Sequence, residues 1–203
     1  MCVVGQTPEK CFECSGKTWD SCKGSEHTCR VSEKCLAADS EFSQVLARLD
    51  GKREYQKKVG RRCADASLCE KDMSVNFRLA RWRIKTNCDT NATLGNEKVS
   101  KGSLKCYGCI SIPSECTKTV ECSETETMCI KASEVVGGNL VVSKGCATET
   151  MCRLRREISD VTGPVVVGDV SCCQGDFCNS SDILKSISSA CLLLLSMLPW
   201  MLS

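Results

Sequence analysis

Cysteine is the residue type with the greatest capacity for chemistry in this sequence, since 20 of its 203 residues are cysteines. Two C-x-x-C pairs, Cys11 with Cys14 and Cys106 with Cys109, have a spacing that zinc sites and thiol redox sites also use. A zinc ribbon needs a second C-x-x-C about 15–20 residues further on, and a thioredoxin-like site needs a surrounding βαβ pattern. Neither is visible. We therefore predict that the cysteines form disulfides and that the protein is extracellular, because disulfides persist in oxidising compartments.

Other residue types that catalyse reactions are sparse. His27 is the only histidine, so neither a Ser-His-Asp triad nor a two-histidine metal site can be assembled around a partner histidine. The sequence has no Gly-rich phosphate-binding loop, and its carboxylates are scattered. We predict a protein without enzymatic activity, metal or cofactor, and without nucleic acid as a partner.

The stretch "VSCCQGDFCNSS", residues 170–181, contains two adjacent cysteines. Adjacent Cα atoms lie about 3.8 Å apart, whereas a relaxed disulfide joins Cα atoms about 4.4–6.8 Å apart. Cys172 and Cys173 should therefore bond to different partners, so that this stretch ties together two parts of the fold.

The cysteines also reveal an internal duplication. Successive steps between them are 3, 8, 7, 6, 28, 6 and 19 in the first half and 3, 7, 6, 7, 17, 6 and 20 in the second, followed by 1 and 5. Only one interval differs much, and a loop absorbs such a difference at little cost. The first series is Cys11, Cys14, Cys22, Cys29, Cys35, Cys63, Cys69 and Cys88, and the second is Cys106, Cys109, Cys116, Cys122, Cys129, Cys146, Cys152, Cys172, Cys173 and Cys178.

The segments between the cysteines are typical of short strands. "NLVVSKGC" and "GPVVVGDVSCC" are β-branched runs bounded by Gly and Pro. "MSVNFRLARWRIKTNC" alternates apolar residues, and its change of parity near Leu79 predicts a bulge or kink. "EFSQVLARL" is compatible with a helical turn or a loop. With 4% aromatic residues, a large packed core is not expected, and we predict an all-β, disulfide-rich fold.

The ten cysteines that end in "CCQGDFCN" resemble the three-finger domain of the lymphocyte-antigen and urokinase-receptor family, whose closing pattern is CC-x-x-D-x-CN. The resemblance covers nearly all of residues 11–179, in two copies, and implies two tandem three-finger domains. For the first domain it implies the pairs Cys11–Cys35, Cys14–Cys22, Cys29–Cys63 and Cys69–Cys88. For the second it implies Cys106–Cys129, Cys109–Cys116, Cys122–Cys146, Cys152–Cys172 and Cys173–Cys178.

The resemblance also implies a structural role for Asn179, whose side chain would anchor the terminal strand by hydrogen bonds. The alternative is an ordinary surface Asn.

The predicted organisation is a remnant at residues 1–10, a domain at 11–92 without a counterpart of Cys173–Cys178, a linker at 93–104, a domain at 105–180, and a C-terminal signal at 181–203.

The C-terminal segment has the pattern of a glycosylphosphatidylinositol (GPI) attachment signal. Small residues, a polar spacer at 182–189 and an apolar run at 190–203 follow one another. The run is shorter than the about 20 residues that cross a bilayer, and the alternative is an amphipathic terminus. We predict attachment at Ser180. The first ten residues lack the basic and apolar parts of a secretion leader, and we interpret them as a remnant.

Charge differs between the two halves. Residues 11–91 contain 16 Lys/Arg against 12 Asp/Glu, and residues 105–179 contain 7 against 10. The first half therefore has the candidate ligand-binding residues, which are Lys52, Arg53, Lys57, Lys58, Arg81 and Arg83. They form either a solvated strand surface or a patch for an acidic partner. The sequon at Asn91 is a glycosylation candidate.

These observations predict a non-enzymatic, GPI-anchored cell-surface module that binds an extracellular protein, similar to the urokinase receptor. The alternative is a secreted inhibitor of phospholipase A2 of the gamma type, which the duplicated layout and "CFECSGKTWDSC" also resemble.

Overall fold

The computed structural model describes residues 8–45, 52–95, 100–163 and 165–180. The predicted remnant up to residue 7 and the predicted attachment signal from residue 181 lie outside the described residues.

Strands dominate both halves of the chain. The first half contains β1 (Lys10–Gly16), β2 (Lys23–Thr28), β3 (Glu33–Val45), β4 (Arg53–Asp65), β5 (Asp72–Asn76) and β6 (Ala80–Asn87). The second half contains β7 (Lys101–Tyr107), β8 (Cys109–Ser111), β9 (Thr119–Ser123), β10 (Met128–Val136), β11 (Asn139–Ala147), α1 (Glu149–Thr162) and β12 (Asp169–Cys173). The prediction of an all-β, disulfide-rich fold is confirmed, with one helix added.

A single sheet runs through both halves. Its order is β12-β10-β11-β5-β6-β3-β4-β1-β2, with β8 paired to β11, and β7 and β9 form a separate two-stranded sheet. The two halves meet where β11 pairs antiparallel with β5, so that Cys146 lies opposite Asn76 and Ala147 opposite Val75. Gly145 permits this approach, because a Cβ at that position would lie 2.0 Å from the carbonyl oxygen of Asn76.

The hydrophobic core is also shared between the halves, although the low aromatic content did not lead us to expect a large packed core. The first half contributes Leu36, Met73, Val75, Phe77 and Ile84, among others. The second half contributes Ile130, Ala147, Met151, Ile158 and Val165 to the same cluster. Low aromatic content did not prevent a core because aliphatic side chains from two cysteine-rich units pool their buried area.

Helix α1 is the main element that the sequence patterns did not indicate. It begins after Thr148, whose Oγ1 accepts a hydrogen bond from the Met151 amide at 3.2 Å, and ends at Gly163, which has a φ of 88°. Met151 and Ile158 are buried in the shared core. The helix therefore lies against the sheet as part of the packing between the halves.

Two local expectations are corrected by the pairing of the strands. Residues 41–45 of "EFSQVLARL" belong to β3, because all five pair with β4 and residues 41–44 also pair with β6. Residues 46–49 lie outside the described part. The parity change near Leu79 is a tight turn between β5 and β6, in which Arg78 has a φ of 71° and donates its amide to Asn76 Oδ1.

Candidate functional site

Disulfides hold both halves at the base of their strands. The eighteen cysteines of the two series are joined in nine disulfides, and the pairs are those that the resemblance implies. Sulfurs of Cys11, Cys29 and Cys63 cluster, as do those of Cys106, Cys122 and Cys146. All six belong to disulfides, and a metal ligand would have to be a thiolate.

Asn179 is buried and its side chain makes a dense set of hydrogen bonds. Its Oδ1 accepts from the Tyr107 amide at 3.0 Å, and its Nδ2 donates to the carbonyls of Tyr107 and Ile130 at 3.1 and 3.0 Å. The carbonyl of Gly145 lies 3.4 Å from the same nitrogen. Asn179 therefore connects β7, β10 and β11 next to the Cys173–Cys178 loop.

Arg81, a candidate ligand-binding residue, lies at the junction between the halves. Its Nη2 is 3.1 Å from Oε1 of Glu126, and the two side chains are 12% and 0% exposed. The same oxygen accepts from Ser74 Oγ at 2.9 Å, and Oε2 accepts from the Ser123 amide at 3.1 Å. Arg81 thus balances a buried carboxylate of the other half, and this burial removes it from any exposed basic patch.

Two cations of β4 point toward the end of helix α1. Lys58 Nζ donates to the Thr162 carbonyl at 3.1 Å, and Arg62 donates to the Asp160 carbonyl. The last carbonyls of a helix lack intrahelical partners and carry partial negative charge. Lys58, in the first half, therefore caps the C-terminus of helix α1 in the second half. Arg62 has the same role, which the sequence did not indicate.

Lys57, Arg53 and Arg83 lie on the opposite face of the same strands. Lys57 and Arg83 both approach Glu41, with N···O distances of 3.6 and 3.7 Å. Arg53 donates to Ser43 Oγ at 3.2 Å, while Lys52 is exposed at the start of β4. The six cations are therefore not one patch, since Lys58 faces the helix and several of the others are paired with acidic or polar neighbours.

The predicted modification sites sit at the ends of their units. Asn91 is exposed, and its Oδ1 accepts a hydrogen bond from Arg61. The segment after it is held to the first half, because Trp19 Nε1 donates to the Ala92 carbonyl at 3.0 Å and the Leu94 amide donates to Asp39 Oδ2 at 2.9 Å. Ser180 is exposed at the end of the described residues.

The tip of the β10–β11 hairpin is apolar and uncovered. Gly137 and Gly138, with φ values of 57° and 83°, form its two-residue turn. Val135 and Leu140 face each other on the two strands, one pair away from the turn, and are 71% and 43% exposed. We call the apolar fingertip the exposed residues next to this turn: Val135, Val136 and Leu140.

Sequence reasoning missed both this fingertip and Glu126. The signal for the fingertip was present in "EVVGGNL", because a Gly-Gly pair between apolar residues is a hairpin signal. Nothing in the sequence distinguishes Glu126 from its exposed neighbours, since its burial depends on Ser74 and Arg81 of the other half.

Two surface carboxylates have a lowered pKa. A hydrogen bond and the charge of Lys101 lower the pKa of Glu121, which lies 3.0 Å from that ammonium group. Hydrogen bonds from Ser67 lower the pKa of Asp65, whose Oδ1 is 2.8 Å from the Ser67 amide. Each is explained by local structure, so neither suggests a catalytic acid or base.

His27 makes contacts that are typical of a surface residue. Its Nε2 is 2.9 Å from Ser25 Oγ and 3.9 Å from Glu13, and its side chain is about half exposed.

Within the described ranges, helices long and apolar enough to cross a membrane are not found.

Comparison with protein families identifies the second unit. A family model described as "snake toxin and toxin-like protein" matches residues 104–179. The match begins in β7 and ends at Asn179, so it includes all five disulfides of the second half. The three-finger family expected from the cysteine spacing is confirmed for these residues.

Proposed function

We propose that this chain, whose residues 104–179 match the snake toxin and toxin-like family model, is a non-enzymatic extracellular module whose apolar fingertip binds a protein. Residues 11–92 would be a second three-finger domain that serves chiefly as its support. The domain boundaries at residues 92 and 105 belong to this proposal, as does the extracellular partner.

The single observation that supports this function most is the uncovered apolar fingertip. Large apolar side chains that cluster at the end of a rigid hairpin remain in contact with water at a cost in free energy, and such patches mark interaction sites. The hairpin is held at its base by the Cys106–Cys129 and Cys122–Cys146 disulfides. A preorganised tip of this kind binds with little loss of conformational entropy.

The cations of the first half are a weaker candidate for the partner site. Arg81 is buried against Glu126, Lys58 caps helix α1, and Lys57 and Arg83 both approach Glu41. Glu126 and Glu41 offset the charges of Arg81, Lys57 and Arg83, and Lys58 faces the end of helix α1, so these cations form no exposed patch that would attract an acidic protein.

A photo-crosslinking residue at position 136 of the full-length protein tests the proposal on living cells. The matched control places the same residue at position 31, where Val31 is 63% exposed in the first half. We expect surface proteins to be captured from position 136 and not from position 31. Val135→Asp should then weaken binding of the captured protein at least about tenfold, while Val31→Asp leaves it unchanged. Capture from position 31, or binding that survives Val135→Asp, would contradict the proposal.

Anchoring through a GPI group at Ser180 is the second part of the proposal. It is supported by the spacing of small, polar and apolar residues after Asn179 and by the exposure of Ser180. Treatment of expressing cells with phosphatidylinositol-specific phospholipase C should release the protein. Retention on the cells after treatment would exclude this anchor. If the protein is instead freely secreted, the alternative function is inhibition of secreted phospholipase A2, which a direct hydrolysis assay measures.

A further inference from the structure

Among the described residues, a cleft lies open between the sheet of the first half and the end of helix α1. It measures about 450 Å³ and lies on the face of β3, β4 and β6 that carries Phe42, Lys58 and Trp82. Thr162 and Val165, at and just beyond the end of the helix, form its other side. We call it the sheet–helix cleft, and its size is within the range of small-molecule sites, about 300–1,000 Å³.

The inner wall of this cleft is apolar. Phe42 and Trp82 lie on neighbouring strands with ring centroids 4.2 Å apart, and both remain partly exposed. Ile84 and Val165, which are buried in the core, complete the wall. Because the aromatic pair is left uncovered, an apolar ligand placed on it would remove apolar surface from water.

Three lysines line the cleft, Lys17, Lys57 and Lys58, and all three lie on or next to the paired strands β1 and β4. Lys58 lies at the boundary with a second space of about 500 Å³, which shares Ser15, Lys58 and Gly163 with the first. Arg61 and Arg62 line that second space together with Lys58, against the carboxylates of Glu13 and Asp160. Lys17 lines the sheet–helix cleft from the exposed turn after β1.

We propose that the sheet–helix cleft binds an anionic single-chain amphiphile, with its apolar chain on Phe42 and Trp82 and its carboxylate or phosphate near Lys58 and Lys17. The separation of an aromatic wall from a cationic end favours a ligand with one apolar body and one anionic head. An acidic peptide would instead need cations distributed along the cleft. This inference is independent of the fingertip and of the partner proposed for it.

Calorimetric titration of the full-length, disulfide-bonded protein tests the proposal, with all lipids below their critical micelle concentrations. The probes are sodium oleate and oleoyl lysophosphatidate, and the controls are zwitterionic oleoyl lysophosphatidylcholine, inorganic phosphate and a short oligoglutamate peptide. We expect both anionic amphiphiles to bind with one ligand per chain and the controls to bind at least about tenfold more weakly. The absence of binding by both amphiphiles would overturn the proposal. Equal binding of any control would also overturn it. Phosphate binding would indicate a simple anion site, and binding of the zwitterion would indicate a groove that does not select for ligand charge. Binding of the peptide would indicate a surface for acidic proteins.

Matched variants locate the ligand. Lys58→Gln should weaken binding of oleate about fivefold, whereas Lys85→Gln, on the face of β6 opposite to Trp82 and Ile84, should leave it unchanged. Phe42→Ala should weaken it about tenfold, since it removes half of the aromatic wall. Because Lys58 also caps helix α1, Lys17→Gln on the exposed turn is a second test of the cationic end. Unchanged affinity in both Phe42→Ala and Lys17→Gln would overturn the assignment of the cleft.

Discussion

The strands β3, β4 and β6 of the first half and the β10–β11 hairpin of the second are built alike but are used differently. Each is antiparallel and tied at its base by disulfides. Helix α1 lies against one face of the first, and the cations of β4 donate to the helix carbonyls. The tip of the second stays uncovered, with Val135 as its most exposed large apolar side chain.

The difference shows that the two regions have different roles: one uses its charged side chains for contacts within the protein, and the other leaves apolar side chains exposed. In the first, lysine and arginine side chains satisfy partners within the protein, so the basic composition of this half supports its contacts with the other half. In the second, the residues at the tip contribute little to folding, because a side chain that is exposed in the native state gains little from it. A surface without a folding role is free to serve binding.

The largest effect is expected at the buried ion pair that joins the halves. Glu126→Ala would leave Arg81 and Ser74 buried without their carboxylate, which costs about 3–5 kcal/mol in the free energy of unfolding. Glu121→Ala, which removes an exposed carboxylate on strand β9, should cost far less, because water screens its pairing with Lys101. Urea unfolding with intact disulfides measures both. Equal losses in the two variants would show that the junction does not depend on Glu126.

The shared core predicts that both halves unfold together. Ile84→Ala in the first half and Ile130→Ala in the second each remove a fully buried side chain from one cluster and should cost about 2–5 kcal/mol. Both should lower the midpoint of a single transition followed by calorimetry. Val135→Ala at the fingertip serves as control and should change stability by less than about 0.5 kcal/mol. Two transitions, each moved by only one of the core variants, would contradict the shared core.

The sequence predicts those parts of the structure that local chemistry determines. Adjacent Cys172 and Cys173 exclude a bond to each other, and the β-branched runs around Leu140 predict strand β11. The packing of the two halves depends on contacts such as Ala147 with Val75, which no local pattern encodes. Strand alternation separates Lys57 from Lys58, but it does not show which face of the sheet a helix will cover.

A smaller effect is expected where β4 caps helix α1. Arg62→Gln removes a cation from the helix C-terminus, where such charges stabilise by about 0.3–1 kcal/mol. Lys57→Gln, which faces away from the helix, should change stability by no more than a few tenths of a kcal/mol. Thermal unfolding at low and high salt measures the difference, which should shrink as salt screens the charge. A loss that is independent of salt would indicate that Arg62 acts through packing rather than charge.

The smallest effect concerns the pH dependence of stability, for which each half contributes one carboxylate with a lowered pKa. The pKa of Glu121 in the second half is lowered mainly by Lys101, so Lys101→Met should return it toward its ordinary value while Asp65 in the first half is unaffected. A carboxyl whose pKa is lower in the folded than in the unfolded state adds stability above the unfolded value, about 4.3 for Glu. That contribution is lost as the pH falls through the folded value, and it should be absent in Lys101→Met. Titration of the side-chain carboxyl signals by NMR measures both groups, and a Glu121 pKa that does not rise in this variant would rule out Lys101 as the cause.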